Sequence, residues 1–356
     1  MLQGLQCLAD GIPSKTYSIL TSFSIHAYDG QKGGISMPLK VFAFYNGLTE
    51  KAKGYPYLKR HGDIINELAL FEVAIENNGT IRGRPSRQLI NEAHTMGIKV
   101  FLVVSNLTTE GKFSTAIMGR LVRDQEFSTL VWRNIRNLLV EYQFDGVNLD
   151  LEKAAPTDRS LFTQLIQTWS RLFRRANFVV SIDVPAMSGS PSDRQDVWKG
   201  SFDYKAIGQV VDQVIIMTYE EHWGGSPPGS IASLSWVTEV LNYAIANIPR
   251  DKLYLGVPLY GYDWPERGDG KAISYQRAIE LAQRQGAPLQ WDANQHSTFF
   301  RYETGGVRHT VYFEDPRSIK EKLELADNKK IRGVALWEMN LSYPRFWEVL
   351  QMHLKR

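Results

Sequence analysis

The stretch FDGVNLDLE, Phe144 to Glu152, alternates polar and apolar side chains with a period of two. Successive side chains of a β-strand point to opposite faces, so Asn148, Asp150 and Glu152 share one face and Val147, Leu149 and Leu151 the other. In a parallel barrel the apolar face packs on helices and the polar face looks into the lumen. Three polar groups in a lumen are costly unless they are hydrogen-bonded or functional. Glu152 falls at the C-terminal end of the strand, the rim on which barrel enzymes carry their chemistry. A network that merely ordered the barrel would give no reason for a carboxylate at that rim.

Working outward, seven further apolar runs read as strands, at 40–46, 67–75, 99–104, 178–184, 212–219, 253–260 and 332–337, alongside 146–152. Amphipathic stretches lie between them at 84–96, 126–142, 160–175, 231–247 and 315–327. Alternation of buried strands with helices implies right-handed βαβ units, and eight of them predict the α/β fold of a (β/α)8 barrel rather than an open sheet. The spacing breaks once, between the seventh and eighth strands. There, 272–286 reads as a helix and 290–315 as two or three short strands with Gly305–Gly306 as a hairpin turn. The expected organisation is an irregular N-terminal extension at 1–38 and a barrel over 39–356, with an α+β subdomain at 266–315 inserted between strand seven and helix seven.

Composition narrows the function. The chain has 356 residues, 43% of them hydrophobic, enough for a large core. Its net charge, 41 − 38 = +3, argues against nucleic acid as a partner. The single cysteine, Cys7, excludes an intramolecular disulfide. No apolar run reaches the length of a membrane span, and residues 1–20 lack the pattern of a secretory signal. His222, His296 and His309 show no metal-ligand spacing, and GGSPPG (224–229) lacks the Lys-Ser/Thr ending of a phosphate loop. Neither a metal nor a cofactor is expected. Arg171, Arg174 and Arg175 read as a solvated helix end.

FDGVNLDLE resembles the DxxDxDxE signature of glycoside hydrolase family 18, the chitinases and their relatives. Asp145, Asp150 and Glu152 match its first, third and fourth acidic positions, and Asn148 replaces the second aspartate. Other segments agree in barrel order: FYN (44–46), SN (105–106), MTYEEHW (217–223), GVPLYGYDW (256–264) and ALWEM (335–339). Within the family, the segment MTYEEHWGGSPPGSIASLSWV (217–237) and the asparagine at 148 are closest to bacterial spore cortex-lytic N-acetylglucosaminidases.

The resemblance implies substrate-assisted cleavage, a family exception to the two-carboxylate glycosidase scheme. Glu152 would be the general acid and then the base, and Asp150 would orient the acetamido N–H. Repulsion from Asp150 would also raise the pKa of Glu152. Tyr219 would hold the acetamido oxygen, Trp337 would floor the site and Glu220 would grip the sugar. Asn148 would hydrogen-bond Asp150, and Asp183 would support Asp150 or cap a loop. Tyr45, Asn106 and Tyr260 lie at strand ends on the same rim, and Trp223 and Trp264 are candidate outer sugar platforms. The implied partner is a polysaccharide containing N-acetylglucosamine, peptidoglycan of the spore cortex ahead of chitin, handled by a monomer in the spore or cell envelope. A chitinase and a non-catalytic carbohydrate-binding protein are the alternatives.

Overall fold

In the computed structural model, which describes residues 39–355, eight parallel strands close into a barrel. The chain enters through β1 (Lys40–Asn46) and β2 (Glu67–Ile75), and a two-residue antiparallel strand, β3 (Ile81–Arg82), hangs on the end of β2. The ring continues through β4 (Lys99–Ser105), β5 (Gly146–Asp150), β6 (Val179–Pro185), β7 (Gln213–Met217) and β8 (Leu253–Pro258). Its last stave, β14 (Gly333–Trp337), pairs with β8 on one side and β1 on the other, and β1 pairs with β2. At the closing seam, a Cβ on Gly333 would lie 2.1 Å from the Lys40 carbonyl oxygen, so only glycine lets first and last strands meet. The irregular extension expected at 1–38 lies outside the described residues.

Around the ring run α1 (Tyr55–His61), α2 (Arg87–Thr95), α3 (Thr115–Arg123), α4 (Gln125–Tyr142), α5 (Arg159–Arg175), α6 (Tyr204–Val210) and α7 (Leu234–Asn247). Ser86, Ser114, Asp124, Asp203 and Ser233 start five of them by accepting a backbone N–H at the N-cap. Pro85 and Ser86 thus hold α2 back from the earlier start that its amphipathic pattern suggests.

After β8 the chain builds a second, antiparallel sheet in the order β10–β9–β13–β12–β11. Its strands are β9 (Tyr260–Pro265), β10 (Lys271–Ser274), β11 (Gln290–Asp292), β12 (Ser297–Thr304) and β13 (Val307–Phe313), with α8 (Tyr275–Arg284) packed on one face. Ile273, Ala278, Ala282, Phe300, Val311 and Phe313 form a small core of their own there. Gly305 and Gly306, at φ 58° and 74°, make the β12–β13 turn. The chain returns through α9 (Pro316–Lys329) to β14 and ends in α10 (Pro344–Leu354). At the return, Glu314 and Lys322 form a fully buried ion pair at 2.8 Å, with the Ser318 hydroxyl donating to the same carboxylate.

Inside the barrel, Phe42 meets Phe44, Phe101 and Tyr254 with ring centroids 5.2–5.7 Å apart. Below them a polar cluster fills the lumen. Glu67 accepts from Gln213 Nε2 at 2.7 Å and from the Tyr254 hydroxyl, and Arg332 donates to that hydroxyl at 2.8 Å. The lumen is therefore packed shut at its N-terminal end, and only the C-terminal end opens.

Candidate active site

The open end holds a pocket lined by Asp150, Glu152, Asp183, Tyr219, Glu220, Tyr260 and Trp337 with Phe113, Trp198 and Met217. Its lining comes from several strand ends and the loops behind them, the arrangement that lets a barrel gather distant residues. Asp150 and Glu152 sit on the lumen side of β5 and its continuation, both nearly inaccessible. The first acid of the motif, Asp145, stands at the other end of the strand. It accepts the Val100 N–H at 2.7 Å and contacts His94 Nε2 at 2.9 Å, clipping strands together far from the pocket.

Burial dominates the electrostatics. Glu152 is pushed up to about 7, first by burial; Lys153 and the Trp198 indole pull it back down, and Glu220 pushes it up. The expected cause, repulsion by Asp150, is thus corrected. The repulsion acts in the other direction: burial first, then the charges of Glu152, Asp183 and Glu72, hold Asp150 well above the usual carboxylate range. Asp183 is pushed up to about 8, again by burial, with the Asn148 amide working against the rise. Burial and the surrounding acids keep the Tyr219 hydroxyl protonated. At neutral pH the pocket can therefore offer a protonated carboxyl at Glu152 and a fixed hydroxyl at Tyr219.

Trp337 reaches into the lumen from the last barrel strand. Its indole is nearly parallel to Tyr219, at 18° and 6.4 Å between centroids, and Phe44 and Phe71 meet it edge-on at 5.3 and 5.1 Å. Such braced aromatic faces suit the C–H side of a sugar ring. Glu220, in the left-handed region at φ 65°, accepts from Tyr260 and, at 3.0 Å, from Tyr262. Burial raises its pKa and the two tyrosines oppose the rise.

Five of the expected contact residues lie elsewhere. Tyr45 is turned away from the pocket: strand parity gives the lumen to Phe42 and Phe44, and the Tyr45 hydroxyl donates to the Thr49 carbonyl at 2.8 Å. Asn106 is fully buried behind Glu152, where its amide bonds the Glu152 main chain. Asn148 faces the lumen but below the pocket floor. It donates to Asp183 at 2.9 Å and to Ser181 at 3.1 Å, not to Asp150 as expected, and its Oδ1 is left without a partner. Trp264 is buried against Tyr262, with its Nε1–H bonded to the Trp223 carbonyl at 3.2 Å. Trp223 is 43% exposed on the loop after β7, outside the pocket lining.

Three lining residues carried no sequence signal strong enough to single them out. Trp198 belongs to the loop between β6 and α6, and its buried indole N–H faces the Glu152 carboxyl, whose pKa it lowers. Phe113 comes from the loop after β4, where a bridge from Leu107 holds it. Met217 ends β7, and its lumen parity with Tyr219 was the one available hint. Among the described residues no group of three His, Cys, Asp or Glu could hold a metal ion. No described helix is long and apolar enough to cross a membrane.

Against known proteins, the chain is 33% identical over 294 residues to the cortical fragment-lytic enzyme of Bacillus subtilis, matching 80% of this chain and 66% of that enzyme's length. The spore cortex-lytic enzyme SleL of Bacillus cereus superposes with a TM-score of 0.80 at 28% identity, covering 89% of this chain and 75% of SleL. A chitinase from Chromobacterium violaceum superposes with a TM-score of 0.81 at 28% identity, covering 89% of this chain and 99% of the chitinase. The family model of glycosyl hydrolases family 18 matches residues 42–341, from the first barrel strand to just past the last, so this chain belongs to that family.

Proposed function

We propose that the protein is a retaining β-N-acetylglucosaminidase that cleaves β-1,4 bonds after N-acetylglucosamine in peptidoglycan of the spore cortex, acting in the spore or cell envelope. The observation that carries the mechanism is the pairing of Asp150 and Glu152 on one strand face opposite Tyr219 and Trp337. Glu152 gives its proton to the glycosidic oxygen as the C1–O bond breaks. Burial and the neighbouring acids push the Asp150 pKa up, which disfavours it as an anionic nucleophile and favours the substrate's own acetamido oxygen as the attacking group. That oxygen bonds to C1, giving an oxazolinium ion, while Tyr219 fixes the acetamido group and Trp337 supports the ring. Water then adds to C1 from the vacated side, Glu152 takes its proton, and the acetamido group reforms with the configuration retained.

The peptidoglycan substrate is supported by the 33% identity to the Bacillus subtilis cortical fragment-lytic enzyme. A chitinase is the second reading, favoured by the superposition on the Chromobacterium violaceum enzyme along nearly its whole length. The test compares the protein with Glu152→Gln on cortex fragments and on chitin oligosaccharides, with products identified by mass spectrometry. Release of fragments ending in reducing N-acetylglucosamine from cortex, lost in the variant, is the expected result. Turnover confined to chitin would select the second reading, and binding without turnover would refute both.

A further inference from the structure

The residue after Glu152 is a lysine. Lys153 takes φ 64°, in the left-handed region, so the chain turns sharply as it leaves the β5 rim. Its Nζ stands 5.6 Å from the ring centroid of Trp198, within cation–π reach, and Trp198 lines the pocket beside Glu152. Lys153 is only partly buried and forms no ion pair among the described residues. Three acids close in sequence to Lys153 or Trp198 are already paired: Asp158 with Arg123 at 2.6 Å, Asp203 with Arg159 at 3.2 Å and Asp193 with Lys199 at 3.7 Å. The ionisable groups that line the pocket itself are carboxyls and tyrosines. Lys153 is therefore a cation at the edge of an acidic site.

Its place in the ring says which part of the substrate it meets. In the strand order β1–β14–β8–β7–β6–β5–β4–β2, closed by β1–β2 pairing, β5 and β14 stand on opposite walls. A sugar resting on Trp337 from β14 presents its C1 and glycosidic oxygen towards Glu152 on β5. In that placement the leaving sugar would extend past Glu152 towards Lys153 and Trp198. In peptidoglycan that sugar is a muramic acid. Its C4 carries the scissile oxygen, and the adjacent C3 carries an ether-linked lactyl group ending in a carboxyl. Chitin has a plain hydroxyl there.

We propose that Lys153 is a specificity determinant that binds the free carboxylate of a 3-O-lactyl group on the leaving sugar, with Trp198 as the platform for that sugar. The inference rests on the peptidoglycan reading above and narrows it. A free lactyl carboxylate exists only where no stem peptide is attached and no lactam has formed, so an amidase must act before this enzyme at such a site.

Three tetrasaccharides test this: alternating N-acetylglucosamine and muramic acid with free lactyl carboxylates, the same chain with the muramic acid as its lactam, and chitotetraose. The full chain is assayed on each as wild type, Lys153→Gln and Lys153→Arg. The wild type should prefer the carboxylate form, and Lys153→Gln should lower the carboxylate-to-lactam ratio of kcat/KM by about tenfold or more, as expected for loss of a charge-assisted hydrogen bond. Lys153→Arg should keep most of the ratio. An unchanged ratio in Lys153→Gln, or a wild type indifferent to the carboxylate, overturns the inference and leaves the glycosidase reading standing. Failure to cleave all three overturns both.

Discussion

The side-chain amide of Asn106 grips the main chain of Glu152 from both sides: Nδ2 donates to the Glu152 carbonyl at 2.9 Å, and the Glu152 N–H donates to Oδ1 at 3.0 Å. A second bond from Nδ2 to the Ser114 carbonyl, at 3.1 Å, ties this clamp to the start of α3. The proposed acid sits just beyond the last ladder residue of β5, where strand pairing no longer fixes it, so the amide does that work instead.

Replacing Asn106 by Ala should lower kcat more than it raises KM, because the acid loses its aim while the sugar floor stays intact. Two buried main-chain groups would also be left unpaired, at about 1–3 kcal/mol each. Steady-state kinetics and a thermal melt on the same sample check both effects.

The pH profile follows from Glu152. A general acid must be protonated, and this one is pushed up to about 7 by burial. The log of kcat/KM should fall with unit slope as pH rises beyond about 7. Lys153 lowers the same pKa, so Lys153→Gln should move this alkaline limb to higher pH. A pH series on a neutral oligosaccharide measures the limb apart from substrate charge.

Asp183 links pH to stability. Its pKa is about 8 in the fold against 3.8 for an unperturbed aspartate, so the folded state holds a proton that the unfolded chain releases. That contribution is fully present below about pH 3.8 and is lost as pH rises through about 8. Asp183→Asn keeps a neutral group at every pH. Its melting temperature relative to wild type should therefore climb from pH 5 to pH 8, as read by parallel melts across that range.

The buried pair Glu314–Lys322 predicts a non-additive double mutant. Lys322→Met leaves an unpaired carboxylate in a fully buried position and should cost about 3–5 kcal/mol. Adding Glu314→Gln should recover much of that loss, because the uncompensated charge is gone. Denaturant titrations of the two single variants and the double variant give the coupling energy.

The barrel was legible because fully buried parallel strands leave continuous apolar runs, such as KVFLVVS at β4 and QVIIM at β7. Strand parity also delivered Asp150 and Glu152 to one face. Where parity was not applied the reading failed: FYN drew attention to Tyr45, but it is Phe44 that braces Trp337. The run 253–260 was read as one strand, whereas β8 stops at Pro258 and Tyr260 opens the second sheet. Asn148 was placed on the correct face, but its partner is settled by a neighbouring strand, which brings Asp183 and Ser181 within reach. Trp198 and Phe113 were out of reach because loops carry no periodicity, and only the closed ring brings them to the pocket.

Trp337, the floor of the pocket, arrives on the last barrel strand and is braced by Phe44 and Phe71 from the first two. The proposed acid, by contrast, is carried by a strand in the middle of the chain. A chain whose ends have not met holds its acid with nowhere for a sugar to lie. Under the proposed function, turnover is therefore a direct reporter of ring closure.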